Sequence, residues 1–202
     1  MCSRNGARIT EPRTPRVRHL SRAFGYDGVK ELILGGVRSG KSRLADIRAR
    51  ASGCSVTVIA TAIAGDDPEL DRRIAAHRAQ RPPEWQVVEE PVALARTLMR
   101  HAAADRCVVV ECLTLWLGHL VSSDRLDTLE EERHALLEAI PNLPGFVIFV
   151  GNETGLGVHP LGELSRRFCD EAGSTHQMIA SLCDRVTFTV AGLPWTLKGS
   201  PP

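Results

Sequence analysis

Gly35-Gly36-Val37-Arg38-Ser39-Gly40-Lys41-Ser42 fits the pattern G-x-x-x-x-G-K-[ST]. It stands between the apolar run Leu32-Ile33-Leu34 and an amphipathic stretch that starts at Ser42. Strand, glycine-rich turn and helix in that order make a phosphate-binding loop, or P-loop. The glycines let successive N–H groups converge on phosphate oxygens at the positive end of the following helix. Lys41 is placed to reach the β and γ phosphates, and the Ser42 hydroxyl to ligate Mg²⁺. Four fixed positions in this setting make a chance glycine turn the weaker reading.

From Glu31 onward, short apolar runs alternate with amphipathic stretches, the texture of a parallel sheet wrapped by helices. Strands are expected at Leu32–Leu34, Val56–Thr61, Gln86–Glu89, Cys107–Cys112, Phe146–Gly151 and Arg185–Val190. Several are continuous Val/Ile/Leu runs, as in strands buried on both faces. Helices are expected at Ser42–Ala51, Pro68–Gln80 (with Asp67 as N-cap), Pro91–Ala104, Leu113–Val121, Thr128–Ile140 and Gly162–Cys183. The fold class is therefore α/β: a P-loop NTPase-like, mostly parallel sheet with helices on both faces.

Composition narrows the function. The chain has 202 residues, with 25 Lys+Arg against 24 Asp+Glu, a formal net charge of +1 that argues against a generic nucleic-acid binder. No apolar run is long enough for a membrane span, and no secretory signal opens the chain, so a cytoplasmic setting is expected. Residues 1–31 hold 7 basic and 3 acidic residues, so the remainder holds 18 basic and 21 acidic, a core charge of −3. Residues 1–30 read as a basic, disordered extension without hydrophobic periodicity, and 31–202 as one catalytic domain. The six cysteines form no C-x-x-C pair, so neither a zinc site nor a bridge framework is indicated, and Cys54, Cys169 and Cys183 read as small core fillers. Trp85 and Trp116 read as packing residues.

A P-loop needs a carboxylate at the end of a neighbouring strand, and Cys107-Val108-Val109-Val110-Glu111 supplies one. Glu rather than Asp leaves room for direct contact with nucleotide; a plain carboxylate at the sheet rim is the plainer alternative. A GTPase switch would need a guanine-reading lysine motif, and none of Lys30, Lys41 and Lys198 sits in one. The D-x-x-G match at Asp170–Gly173 falls inside a helical pattern. A small-molecule transferase is favoured.

In Asp71-Arg72-Arg73-Ile74-Ala75-Ala76-His77-Arg78-Ala79-Gln80-Arg81-Pro82, helical spacing puts Arg73, His77 and Arg81 on one face. A histidine there is expected to sit in a positive field that keeps the imidazole neutral and nucleophilic toward phosphorus. Read from the residues alone, a solvated basic helix face comes first. His159 is noted because it follows the glycine-rich stretch Asn152-Glu153-Thr154-Gly155-Leu156-Gly157, which is placed where open α/β sheets carry ligand loops.

These segments occur in order with Ile59-Ala60-Thr61-Ala62, Glu111-Cys112-Leu113-Thr114-Leu115-Trp116-Leu117 and Ala191-Gly192-Leu193-Pro194. As a set, over about residues 31–198, they resemble the bifunctional adenosylcobinamide kinase / adenosylcobinamide-phosphate guanylyltransferase family of cobalamin biosynthesis. The resemblance implies two reactions. The hydroxyl of the aminopropanol arm of adenosylcobinamide is phosphorylated from ATP or GTP, and GMP is then passed from GTP to that phosphate through a guanylylated histidine. It implies His77 as that histidine, and Lys41 of the P-loop then serves catalysis by neutralising the departing pyrophosphate. It places nucleotide contacts on Gly35, Gly36, Val37, Arg38, Ser39, Gly40, Lys41 and Ser42, on Thr61, Ala62 and Ile63, on Arg78, Ala79, Gln80 and Arg81, and on Glu89 and Glu111. It also implies Mg²⁺ held through Ser42 and the nucleotide, a corrinoid substrate, and a homotrimer. The loop after Gly151 is then a corrinoid or catalytic loop. The alternatives are a simple P-loop kinase with His77 idle and a nucleotide-binding regulatory module.

Overall fold

The apolar runs become strands because they are buried on both faces, and their periodicity sorts side chains into two layers. The computed structural model describes residues 28–62, 65, 68–122 and 126–200. In chain order the elements are β1 (Lys30–Gly35), α1 (Lys41–Ala51), β2 (Ser55–Ala60), α2 (Pro68–Gln80), β3 (Gln86–Glu89), α3 (Leu94–His101), β4 (Arg106–Glu111), α4 (Leu113–Ser122), α5 (Leu126–Ala139), β5 (Phe146–Asn152), α6 (Glu163–Leu182), β6 (Arg185–Val190) and β7 (Leu193–Lys198). One sheet runs β3-β2-β4-β5-β1-β6-β7. The first six strands pair in parallel and β7 is antiparallel to β6. This is the expected α/β architecture, with the P-loop strand inside the sheet.

Alternation along the strands divides the core. Leu32, Leu34, Val108, Val110, Val147 and Phe149 point to the face covered by α3, α4, α5 and α6, around the buried Trp116. Ile33, Val58, Cys107, Val109, Ile148 and Val150 point to the other face, where Ala45 and Ala49 of α1 and Trp85 complete the layer. Two-residue periodicity puts Glu111 on the α1 face with Cys107 and Val109. Both tryptophans pack as expected: the Trp116 indole N–H donates to the Val92 carbonyl (2.9 Å), and the Arg50 guanidinium lies 5.3 Å from the Trp85 ring.

Three differences from the sequence reading have physical causes. Strand β7 was not expected, because Leu193-Pro194-Trp195-Thr196-Leu197 lacks a β-branched run; an edge strand tolerates its proline. Lys198 also fastens β7 to the end of α6, donating to the Ala180 and Ser181 carbonyls (both 2.9 Å). Strand β1 starts at Lys30, two residues before the expected Leu32, so Lys30 belongs to the sheet rather than to the basic segment. Glu31 is buried, accepting from Thr187 Oγ1 (2.9 Å) and Arg185 Nη1 (3.2 Å). Cys54 and Cys169 are half-buried, not core fillers, whereas Cys107 and Cys183 are buried; all five described cysteines are free. Residues 1–27, which carry most of the expected extension, and Asp67 lie outside the described residues.

Trp116 is fully buried and its N–H is satisfied. Trp116→Ala is expected to lower stability by about 3–5 kcal/mol in chemical denaturation; a loss below ~1 kcal/mol would contradict the packing described.

Candidate functional site

The P-loop is held by contacts that glycine alone permits. Gly40, at φ 98°, caps α1 in the left-handed region, where side chains are disfavoured. A Cβ there would also stand 3.0 Å from the Gly192 Cα, because the β6–β7 turn lies against the loop. A Cβ on Gly35 would fall 2.5 Å from both Ser39 Oγ and the Thr189 carbonyl. The turn is bonded to the loop directly: the Gly192 N–H donates to the Ser39 carbonyl (2.8 Å). The Ala191-Gly192 pair of the sequence analysis is thus the buttress of the P-loop, a role that no local pattern announces.

Within the loop, Gly36, Val37 and Arg38 are exposed, whereas Ser39 and Lys41 are buried. Lys41 Nζ donates to the Gly36 carbonyl (3.0 Å), so its ammonium is folded back over the loop. Burial lowers its pKa, a cost that a bound phosphate would offset. Among the described residues, the buried Ser39 and Thr189 hydroxyls have no hydrogen-bond partner. Ser42 is half-buried in the first turn of α1. Among the described residues no group of three or more His, Cys, Asp or Glu side chains could hold a metal ion. A single hydroxyl supplemented by nucleotide phosphates is the donor set that suits Mg²⁺.

The second half of the site is built on the rim of the sheet. His77 Nδ1 lies 2.7 Å from Glu111 Oε1, and the other Glu111 oxygen pairs with Arg81. Arg78 pairs with Glu89 at the end of β3. The structure therefore brings His77, Arg78, Arg81, Glu89 and Glu111 together at the carboxyl ends of β3 and β4. It does not bring Arg73 there: that side chain is exposed and pairs with Glu69 one turn earlier (3.0 Å).

The electrostatics correct one expectation. Glu111, and not the surrounding arginines, sets the direction of the His77 shift. Its hydrogen bond to Glu111 raises the imidazole pKa, against burial and against Arg81. Burial pushes the Glu111 carboxyl up, but His77 and Arg81 together hold it below the usual carboxylate range. Asp46, on α1 one turn beyond Ser42, belongs to the same group: burial and the Glu111 charge raise its pKa, and Arg50, Arg81 and His77 oppose them. Asp46 was missed in the sequence, where its only signal is the four-residue spacing from Ser42.

The remaining candidates are placed less directly. Thr61 uses its hydroxyl structurally, donating to the Cys112 carbonyl (2.7 Å) and accepting from the Cys112 N–H (2.9 Å). Ala62 is half-buried beside it, and Ala79 is exposed on α2. Ile63 and the Gln80 side chain lie outside the described residues. His159 is exposed in the loop after β5, and Asp170–Gly173 lies inside α6, as expected.

A mostly parallel sheet with a P-loop after its interior strand β1 and a carboxylate at the end of β4 defines a P-loop nucleotide-binding protein. Comparison with known proteins narrows this. Residues 31–197 match the model of the cobinamide kinase / cobinamide phosphate guanyltransferase family, and the chain belongs to that family. It is 61% identical over 173 residues to the bifunctional adenosylcobalamin biosynthesis protein CobP of Pseudomonas aeruginosa, covering 86% of this chain and 99% of that one. It is 32% identical over 180 residues to the bifunctional adenosylcobalamin biosynthesis protein CobU of Escherichia coli K12, covering 83% and 98%. Its identity to the CobU protein of Salmonella typhimurium is 31% over 180 residues, covering 83% and 98%. Among solved structures, the RadB recombinase superposes with a TM-score of 0.46 at 18% identity, covering 80% of this chain and 74% of that one. No helix among the described residues is long and apolar enough to cross a membrane.

The His77–Glu111 contact makes a direct prediction. In an NMR titration, the His77 ring should change charge above the ordinary imidazole value of about 6.5. Because its folded pKa is raised, its contribution to stability is full below that ordinary value and fades as pH climbs through the folded one. Glu111→Gln should return the midpoint to the ordinary value or below; a midpoint unmoved by that change would refute the pairing.

Proposed function

We propose that this chain phosphorylates adenosylcobinamide from ATP or GTP and then transfers GMP from GTP to the product through His77, giving adenosyl-GDP-cobinamide. Family membership supports the pair of activities. The observation that carries the mechanism is the 2.7 Å contact between His77 Nδ1 and Glu111 Oε1.

With Nδ1–H donated to Glu111, the ring presents Nε2 as its free nucleophilic nitrogen, on a side chain that is 47% exposed. Attack by Nε2 on the α-phosphorus of GTP forms an N–P bond and breaks the bond to the β-phosphate oxygen, releasing pyrophosphate. The ring becomes cationic as it does so, and Glu111 stabilises that charge while fixing the tautomer, as the carboxylate of a catalytic triad does. An oxygen of the corrinoid phosphate then attacks the same phosphorus, the N–P bond breaks, and His77 is regenerated. For the arginines to act on the nucleotide, Arg78 and Arg81 exchange their carboxylate partners for phosphate oxygens, which bidentate guanidinium groups bind well.

Lys41 and the P-loop N–H groups from Gly35 to Ser42 bind the β and γ phosphates in both reactions. The Ser42 hydroxyl would hold Mg²⁺ together with those phosphates. When bound, the ion supplies neutralisation of the charge that builds on the leaving phosphates. The corrinoid is assigned to the loop after β5, whose Leu156, Val158 and Leu161 are exposed apolar side chains of the kind that contact a large macrocycle. A homotrimer and a cytoplasmic location complete the reading. The exposed row Leu193, Trp195 and Leu197 on edge strand β7 is apolar surface that an assembly would cover, and free cysteines suit a reducing compartment.

Incubation with α-³²P-GTP should leave acid-labile label on the protein. His77→Ala should abolish it, and Lys41→Ala should depress both labelling and corrinoid phosphorylation by about 10²-fold or more. Label persisting in His77→Ala would overturn the nucleophile; phosphorylation without any label in the unmutated protein would leave only a kinase.

A further inference from the structure

Phosphorylating an alcohol requires removal of its proton, and the mechanism above names no group for that task. Four glutamates stand at or just beyond the carboxyl ends of β3, β4 and β5. Glu89 is paired with Arg78, and Glu111 with His77 and Arg81. Glu90 caps α3, accepting from the Val92 and Ala93 N–H groups (3.1 and 2.8 Å) and from Thr97 Oγ1 (3.2 Å). Glu153 is the remaining one. Among the described residues its carboxylate has no salt-bridge partner and accepts one hydrogen bond, from the Gly155 N–H (2.6 Å).

Its position suits a base at the γ-phosphate. β5 lies beside β1 in the sheet, with Gly35 opposite Asn152. The Glu153 N–H donates to the Gly35 carbonyl (3.0 Å), so this residue is bonded to the first glycine of the P-loop. The preceding Asn152 N–H is anchored on Thr114 Oγ1 of α4 (2.7 Å). Behind it, His176 of α6 is buried, its Nε2 without a partner among the described residues, and lies against Gly151, where a Cβ would be 2.9 Å from that nitrogen. Burial lowers the His176 pKa, and the nearby Glu153 charge opposes that shift. Beyond Glu153 the chain enters the apolar loop assigned to the corrinoid.

We propose that Glu153 is the general base of the kinase step, taking the proton of the acceptor hydroxyl as its oxygen attacks the γ-phosphorus. An O–P bond forms, the bond from the γ-phosphorus to the β,γ-bridging oxygen breaks, the nucleoside diphosphate leaves, and the proton passes from the carboxylate to solvent. This assignment rests on the kinase activity proposed above. The guanylyl transfer needs no such base, since its acceptor is already an ionised phosphate oxygen.

Glu153→Gln separates these roles, because the amide oxygen still accepts from Gly155 while the basicity is gone. The variant should phosphorylate adenosylcobinamide with kcat reduced about 10²–10⁴-fold and an unchanged KM for the nucleotide. It should take up label from α-³²P-GTP as the unmutated protein does and pass GMP to preformed adenosylcobinamide phosphate at the unmutated rate. Kinase turnover within about threefold of the unmutated protein would overturn the assignment. Loss of labelling together with phosphorylation would also overturn it, by making Glu153 a scaffold residue. An unmutated protein that takes label but never phosphorylates the corrinoid would instead remove the kinase reading on which it stands.

Discussion

One carboxylate at the end of β4 ties the α2 side chains of the site to the sheet. Glu111 is largely buried, and an unpaired charge there would be costly. It is kept ionised by His77 through one oxygen and by Arg81 through the other. That arrangement ties α2, which has few buried side chains of its own, to the rim of the sheet. It also determines which imidazole nitrogen is engaged and which is open. Stability and reactivity therefore rest on the same pair of bonds, and any nucleotide that recruits Arg81 must loosen one of them.

The P-loop follows the same economy. Its conformation depends on a left-handed Gly40 and on Gly35 lying against Ser39 and Thr189. The turn that seals it comes from the β6–β7 hairpin, some 150 residues later in the chain. The strand order then distributes function along the sheet rim: β1 carries the phosphate loop, β5 the Glu153 loop beside it, β4 the Glu111 anchor, and β3 the Glu89 partner of Arg78. The phosphate loop, the Glu153 loop and the histidine thus lie along one edge, where open α/β sheets place their ligands.

Much of this was legible in the sequence because the signals are local. Short apolar runs, several of them continuous in Val, Ile and Leu, marked six strands, and Pro68–Gln80 and Gln86–Glu89 fell where expected. The P-loop pattern located Lys41 and Ser42, and a lone acidic residue at the end of a buried run marked Glu111. What escaped was non-local. β7 carries Pro194 and is made a strand by pairing with β6, not by its own propensity. Arg73 and Arg81 are equivalent on a helical projection, but Arg81 is drawn to Glu111 and Arg73 to Glu69. The direction of the His77 pKa shift was missed for the same reason: neighbours four residues away are visible in a sequence, whereas a carboxylate thirty-four residues away is not.

The central claim is that Glu111 occupies Nδ1 of His77 and so leaves Nε2 to carry GMP. Protein labelled with ¹⁵N-histidine, guanylylated with GTP and read by ¹H–¹⁵N and ³¹P NMR reports which ring nitrogen bears phosphorus. Phosphorus on Nε2 of His77, with Nδ1 still protonated, is the predicted result. A GMP group on Nδ1, or on another histidine, would contradict the account.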